Sequence, residues 1–320
     1  MMPLANLIQA FFSRNYYQYT VFTSETLTSA LSKIGASWLI LNVFLYFSNI
    51  PAAQVKAHGS WFIGFIAIWT LWDRKPLLSI SERLLGRDIE LEVKIGNIFT
   101  ESGAKLISIN TTFDTDIEGG IIAEDSLQGK FTEKYYDSVQ SLDNDLETAL
   151  ASYEVYEELQ NKRFGKKKRY KMGTTVKLRP KRQLFYLVAI AELNEQGVAQ
   201  SSFENIKLCL KKAWEYIGEC GETEPIVVPL VGSGRARITE TRNVLAREII
   251  RSFVEACATK KCCEKLTLVI SPYDYRKHKL NLYELGEYLR FVCRYTDLDK
   301  LKQGVEENSQ KNPLGGVSRA

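Results

Sequence analysis

The sequence is poor in the residues that build metal sites. It has two histidines, His58 and His278, and its six cysteines include no Cys-x-x-Cys pair. A zinc site therefore lacks ligands at the usual spacing, and the cysteines read as reduced thiols of a cytosolic domain, some of them in its core. Charge of one sign is also lacking: 42 basic residues face 38 acidic ones, for a net charge of +4. That balance excludes a global nucleic-acid-binding character. No Gly-Lys-Ser/Thr follows a glycine-rich loop, so there is no P-loop. No nucleophile–base set or carboxylate pair stands out as catalytic, and neither a catalytic residue nor a resident cofactor is assigned. No charged leader precedes the early apolar residues, so a cleaved signal peptide is not expected.

Long uncharged runs are present, both within the first ninety residues. Leu4, Leu7, Ile8, Phe11 and Phe12 share one helical face, which suits an interfacial helix at the head of a lead-in over residues 1–30. Ile34 to Ile50 carries no charge, and the run extends back to Leu27 where Lys33 snorkels to the headgroups. A polar break, Pro51 to Gly59, precedes a second uncharged run from Ser60 to Trp72. Trp38, Trp61, Trp69 and Trp72 stand near the ends of these runs, where interfacial aromatic belts form. A two-helix transmembrane hairpin over 31–75 is the reading. The alternative, two buried helices of a soluble bundle, requires a small bundle to bury helices apolar on nearly every face. Lys33 before the first run, with Arg74, Lys75, Arg83 and Arg87 after the second, outweigh Lys56 between them. The positive-inside bias then leaves both ends in the cytoplasm of a multi-pass inner (cell) membrane protein.

Residues 76–87 read as a linker, and from 88 to 302 strands alternate with helices. Strands are expected at Ile89 to Ile95, Lys105 to Asn110, Gln183 to Leu193, Ile226 to Leu230 and Leu266 to Ile270. Residues 131–160 and Phe203 to Ile217 read as helical, and 303–320 as a disordered tail. This alternation predicts a three-layer α/β/α domain with a mixed central sheet. Ligands of such sheets lie beyond the carboxyl ends of strands. Four strands end in loops of suggestive composition: Gly96-Asn97, Asn110 to Asp114, Gly232 to Arg235, and Ser271 to Tyr275. The third opens a helix with Thr239 or Thr241 as N-cap, a layout in which backbone N–H groups converge on a phosphate. Arg237 stands where a dinucleotide fingerprint has its third glycine, and each loop alone is as well explained as a plain turn. The basic cluster Lys162-Arg163, Lys166 to Arg169 reads either as a solvated hairpin tip or as a contact for anionic lipid or nucleic acid.

The series Val93-Lys94-Ile95-Gly96-Asn97-Ile98, Ile107-Ser108-Ile109-Asn110 and Val228-Pro229-Leu230-Val231-Gly232-Ser233-Gly234 resembles macro domains, which bind ADP-ribose and its derivatives. More narrowly, INTTFDT, GGIIAEDSLQG, YKMGTTVKL before FYLVAIAEL, and VPLVGSGRARIT resemble the membrane-anchored macro-domain effectors of type II Thoeris antiphage defence systems. The resemblance covers roughly residues 88 to 297. It implies an effector whose ligand is an ADP-ribose-derived signal made from NAD by a partner TIR-domain enzyme. It further implies homo-oligomerisation on activation, damage to the bilayer, and abortive infection. By position it implies ligand contacts at Asn97 and Ile98, at Asn110 and Thr111, and at Ser126, Leu127 and Gly129 of the first phosphate loop. It adds Gly232, Ser233, Gly234, Arg235 and Ala236 of the second phosphate loop, with Tyr273 or Tyr275 stacking on a ring. Asn97 replaces the acid that many macro domains use against adenine. The Asn-Ala-Ala-Asn and Gly-Gly-Gly-Val patterns of hydrolytic members are absent.

Two other functions fit the same residues: a membrane-tethered ADP-ribose-processing hydrolase with Asn110 orienting a water, and an inert tether for ADP-ribosylated partners. The charge flanks carry their own test. With native cysteines removed, a cysteine at Gln54 should react with an impermeant maleimide on intact cells and one at Gln303 should not. Labelling at Gln303 would reverse the topology.

Overall fold

The computed structural model describes residues 12, 17–48, 59–74, 76–160, 162, 164–194, 197–220, 222–232, 234, 238–278 and 280–298. Residues 4–11 of the expected interfacial helix, residues 51–58 of the polar break expected over Pro51 to Gly59, and the tail from 303 lie outside the described residues, and Gly59 is the first residue of a helix. Two compact units are present, residues 1–78 with 279–283, and 79–278 with 284–320.

In the first unit, helix α1 spans Ser24–Phe47, and the Thr23 hydroxyl caps it by accepting from Thr26 N at 3.3 Å. Helix α2 spans Gly59–Asp73. The two run antiparallel. Lys33 Nζ lies 2.6 Å from Asp73 Oδ2, and Arg74 Nη1 lies 3.2 Å from Glu25 Oε2. Most of their large apolar side chains face outward, among them Leu39, Ile40, Phe44, Phe47, Trp61 and Trp72, whereas Ile66 is buried. Among the described residues α1 alone is long and apolar enough to cross a membrane. The 15 residues of α2 reach only about 22 Å at 1.5 Å per residue, short of a hydrocarbon core of about 30 Å. The expected pair of full spans is thereby reduced to one.

The second unit is built on one sheet. Its strands are β1 (Ser79–Arg83), β2 (Glu90–Ile95), β3 (Ala104–Asn110), β6 (Thr175–Leu178), β7 (Phe185–Leu193), β8 (Ala199–Gln200), β9 (Ile226–Pro229) and β10 (Lys265–Ile270), and a separate ribbon pairs β4 (Glu157–Glu158) with β5 (Lys168–Arg169). The order is β1-β2-β10-β9-β3-β7-β6, with β8 beside β7. From β2 to β7 neighbouring strands are parallel, whereas β1, β6 and β8 pair antiparallel.

Burial on both faces explains the apolar runs of the parallel strands. Helices α3 (Leu127–Tyr135) and α4 (Val139–Leu150) place Phe131, Leu142, Leu146 and Leu150 in one cluster with Ile107, Ile109, Phe185 and Leu187. Alternate residues serve the other face, where Tyr186 meets Tyr216 of α5 (Phe203–Cys220) edge-on at 6.3 Å. Helix α6 (Arg242–Thr259) packs on α5 through Trp214 and Phe253, T-shaped at 5.3 Å, and Trp214 Nε1 donates to Ser252 Oγ at 3.0 Å. The layered α/β/α architecture is as expected.

Other expectations need correction. The linker at 76–87 contains β1, whose Ser79 to Arg83 pair with Lys94 to Glu90. Polar residues hid it: its burial alternates between exposed and half-buried along Ser-Ile-Ser-Glu-Arg. The helical stretch 131–160 ends at Leu150 and continues into β4. The loop Ser271 to Tyr275 is mostly helix α7 (Pro272–Lys277), with Ser271 as N-cap. A further helix, α8 (Leu282–Tyr295), holds β1 through Arg290 Nε and Glu82 Oε1 at 3.1 Å. A fragment begun at Asp88 thus loses an edge strand and buries less. Leu84, 2% exposed, accounts by itself for about 1.5–3 kcal/mol. Such a fragment should melt below one begun at Pro76, and equal melting temperatures would show β1 to be dispensable.

Candidate functional site

Because β2, β10, β9 and β3 are adjacent and parallel, their carboxyl ends open on one side of the sheet. The loops singled out from the sequence all leave the sheet at that end. Asn97 is exposed and caps a short 3-10 turn, Ile98–Thr100, its Oδ1 accepting from Phe99 N at 3.0 Å. Ile98 turns its side chain into the core, 5% exposed. Only its backbone remains for a ligand.

Asn110 closes β3 almost fully buried. Its Oδ1 accepts from Thr112 N and Asp114 N, both at 3.1 Å, and lies 2.9 Å from the Thr112 hydroxyl, whose single hydrogen it shares with Asp114. The carboxamide oxygen is committed to folding the loop, which leaves the NH2 as the group able to face a ligand. Phe113 within the loop takes φ 52° and packs edge-on against Tyr170 at 5.5 Å. A non-glycine residue in that region stores strain of about 1–3 kcal/mol. Thr111 adds a second feature: its hydroxyl is buried and makes no hydrogen bond among the described residues.

Asp114 is the centre of this loop. Its side chain is 0% exposed and lies 2.5 Å from Lys162 Nζ, while Lys166 N donates to Oδ1 at 2.6 Å. Thr112 Oγ1 donates to it as well, and Gln128 Nε2 of α3 reaches its carbonyl at 2.6 Å. Lys166 Nζ pairs with Asp143 at 2.5 Å and Arg169 with Glu157 at 2.9 Å. Much of the basic cluster is therefore tied within the molecule.

Ser126 caps α3, accepting from Gly129 N at 3.0 Å. Leu127 packs against the cluster beneath the sheet. A Cβ at Gly129 would meet Ala123 O at 2.5 Å and Glu124 O at 2.6 Å, so this glycine lets residues 123–124 lie on the helix. Gly232 takes φ +81°, and a Cβ there would meet Ile206 Cδ1 at 2.4 Å and Ile238 Cδ1 at 2.8 Å. Among the described residues nothing lies within 4 Å of a Cβ placed on Gly234. Ser233, Arg235 and Ala236 lie outside the described residues. Thr241, one of two expected caps, caps α6 by accepting from Val244 N at 3.4 Å. Two residues on, Asn243 Oδ1 is buried without a hydrogen bond among the described residues. No sequence signal marked Asn243, since an Asn in the first turn of a helix is ordinary.

Of the two tyrosines, Tyr273 is 56% exposed, with Lys277 Nζ 5.0 Å from its ring centroid, whereas Tyr275 is buried at 6%. Tyr273 is the ring able to stack on a ligand. Burial, and then the Arg242 charge, push the His278 imidazole pKa down. Among the described residues no group of His, Cys, Asp and Glu is arranged to hold a metal ion.

The model for the family "Thoeris protein ThsA, Macro domain" matches residues 91–271. The chain belongs to this family. The Thoeris protein ThsA of Bacillus amyloliquefaciens (strain Y2) is 26% identical over 206 residues, covering 62% of this chain and 67% of that relative. Among solved structures, the Oceanobacillus iheyensis macrodomain with ADP has a TM-score of 0.45 and 12% identity, over 66% of this chain and 99% of that one. The macrodomain of the same organism with MES bound has a TM-score of 0.45 and 11% identity, over 68% and 100%. In this ThsA macro domain the matched span runs from β2 to the end of β10 and includes both glycine-bearing loops.

The two glycines of the second loop should behave differently. Gly232→Ala adds a Cβ in a strained conformation against two isoleucine methyls, at a cost of about 1–3 kcal/mol. Gly234→Ala should stay within about 0.5 kcal/mol of the parent. Thermal melting of both variants checks this, and equal melting temperatures would mean that Gly232 has no special conformational role.

Proposed function

We propose that the chain is a membrane-anchored antiphage effector whose macro domain senses an ADP-ribose-derived signal. In this reading a partner TIR-domain enzyme makes the signal from NAD, and binding drives assembly of several copies. The apolar helices then disrupt the inner (cell) membrane, so that the infected cell dies before phage replication is complete. The macro domain faces the cytoplasm.

The observation that carries the ligand half is the exit of four loops at one end of the sheet. Gly232 at φ +81° turns the chain, and Gly234 leaves its surroundings clear. The capped N-terminus of α6 follows, where backbone N–H groups and the helix dipole favour an anion. The Thr111 hydroxyl, buried and unpartnered, is a donor and acceptor for a ligand in the same region. Asn97 at the mouth and the exposed ring of Tyr273 suit a base or a terminal group.

Binding is favoured over hydrolysis by the state of the polar residues. The Asn110 oxygen accepts from two backbone N–H groups, and the Asp114 carboxylate is buried against Lys162. Neither is poised to activate a water. The membrane half is supported by α1, long enough to span, and by the pairing of Lys33 with Asp73 and of Glu25 with Arg74. These pairs hold the first half of α1 beside the end of α2.

Calorimetry with ADP-ribose on the full chain in nanodiscs tests the site. Gly234→Glu brings bulk and negative charge to the phosphate loop, and it should abolish binding in a folded protein. Thr111→Val should weaken binding by about 1–3 kcal/mol if its hydroxyl contacts the ligand. Parental affinity in folded Gly234→Glu would remove the phosphate loop from the site, and turnover of ADP-ribose would replace the sensor with a hydrolase.

A further inference from the structure

The ribbon of β4 and β5 has outward features that the ligand site does not use. Lys162, Lys166 and Arg169 are tied to Asp114, Asp143 and Glu157. Lys167 and Lys168 are exposed and make no ion pair among the described residues, with Glu158 facing Lys168 across the ribbon. Beside them Phe164 at the turn is 73% exposed, and Tyr156 60%. An outward phenylalanine next to free lysines is the composition of a surface that meets anionic headgroups: the ring enters the interface and the ammonium groups attract the phosphates.

The position of the ribbon in the fold agrees. Tyr170 N, directly after β5, donates to Thr111 O at 2.9 Å, so the ribbon is rooted at the carboxyl end of β3. Strand β1 begins with Ser79 opposite Lys94, near the carboxyl end of β2. Since β2, β10, β9 and β3 are parallel, both features lie at the same end of the sheet. The chain thus enters the sheet at the end where the ribbon is rooted.

We propose that the ribbon tip, Phe164 with Lys167 and Lys168, rests on the anionic surface of the membrane. This rests on the anchoring reading above. It gives the membrane a line to the ligand loop, because the same ribbon is latched through Lys162 to Asp114, which is hydrogen-bonded to Asn110.

The test uses the full chain in vesicles of phosphatidylcholine, with or without about a quarter phosphatidylglycerol, and a bimane on Phe164→Cys. The unsubstituted chain serves as the labelling control. Carbonate extraction comes first: a chain that is extracted is not anchored, which overturns the anchoring and this proposal with it. For a retained chain, headgroup spin-labelled lipid should quench the bimane at least about threefold more with phosphatidylglycerol than without. The excess should vanish in Lys167→Glu/Lys168→Glu and in about 1 M salt, where the screening length falls to about 3 Å. A retained chain whose bimane stays open to aqueous iodide, whatever the lipid, would overturn the ribbon contact and leave the anchoring standing. So would shielding without lipid quenching that disappears on dilution, which would assign the tip to a second copy.

Discussion

The carboxylate of Asp114 is the constraint on which the ligand end of this domain depends. A buried, unpaired carboxylate costs several kcal/mol in lost hydration. Here it is met by Lys162, by the Lys166 backbone and by Thr112, all within hydrogen-bonding distance. Those partners come from both ends of a stretch of about fifty residues, so the ion pair joins the loop after β3 to the β4–β5 ribbon. Asn110 and Gln128 extend the network to the sheet and to α3. Removing Lys162 would leave the charge uncompensated, whereas removing both partners together would cost less. The left-handed Phe113 is held in place by the same bonds.

The glycines of the site divide by role once the backbone is known. Gly129 gives room to a neighbouring loop, Gly232 supplies a conformation, and Gly234 supplies space. Sequence alone treats the three alike, because glycine's absence of a Cβ serves each purpose equally well.

Much of the architecture was legible. The parallel strands announce themselves as β-branched runs because both their faces are buried, and α5 and α6 show helical spacing. Strand β1 was not legible, because an edge strand with two serines and two charges has no apolar pattern to read. Helix α7 hid behind its proline, which sits in a first turn where the missing N–H costs nothing. Of the candidate site, the loops and their common end of the sheet could be read, since strand direction follows from alternation. Which of Tyr273 and Tyr275 faces out could not, and neither could the pairing of Asp114 with Lys162, 48 residues away. Sequence spacing says nothing about such a contact when a ribbon folds back over a loop.

The pairing of β2 with β10 also bears on how the chain is made. Lys265 reaches Glu90 across 175 residues of sequence. At about 5–20 residues per second, β10 leaves the ribosome roughly 10–35 s after β2. During that interval Leu91 and Val93 have β1 on one side and an open hydrogen-bonding edge on the other. Helices α1 and α2 precede β2 and emerge earlier still. The apolar helices are thus synthesised well before the sheet can close, and the parallel core stays incomplete until its last strand is in place.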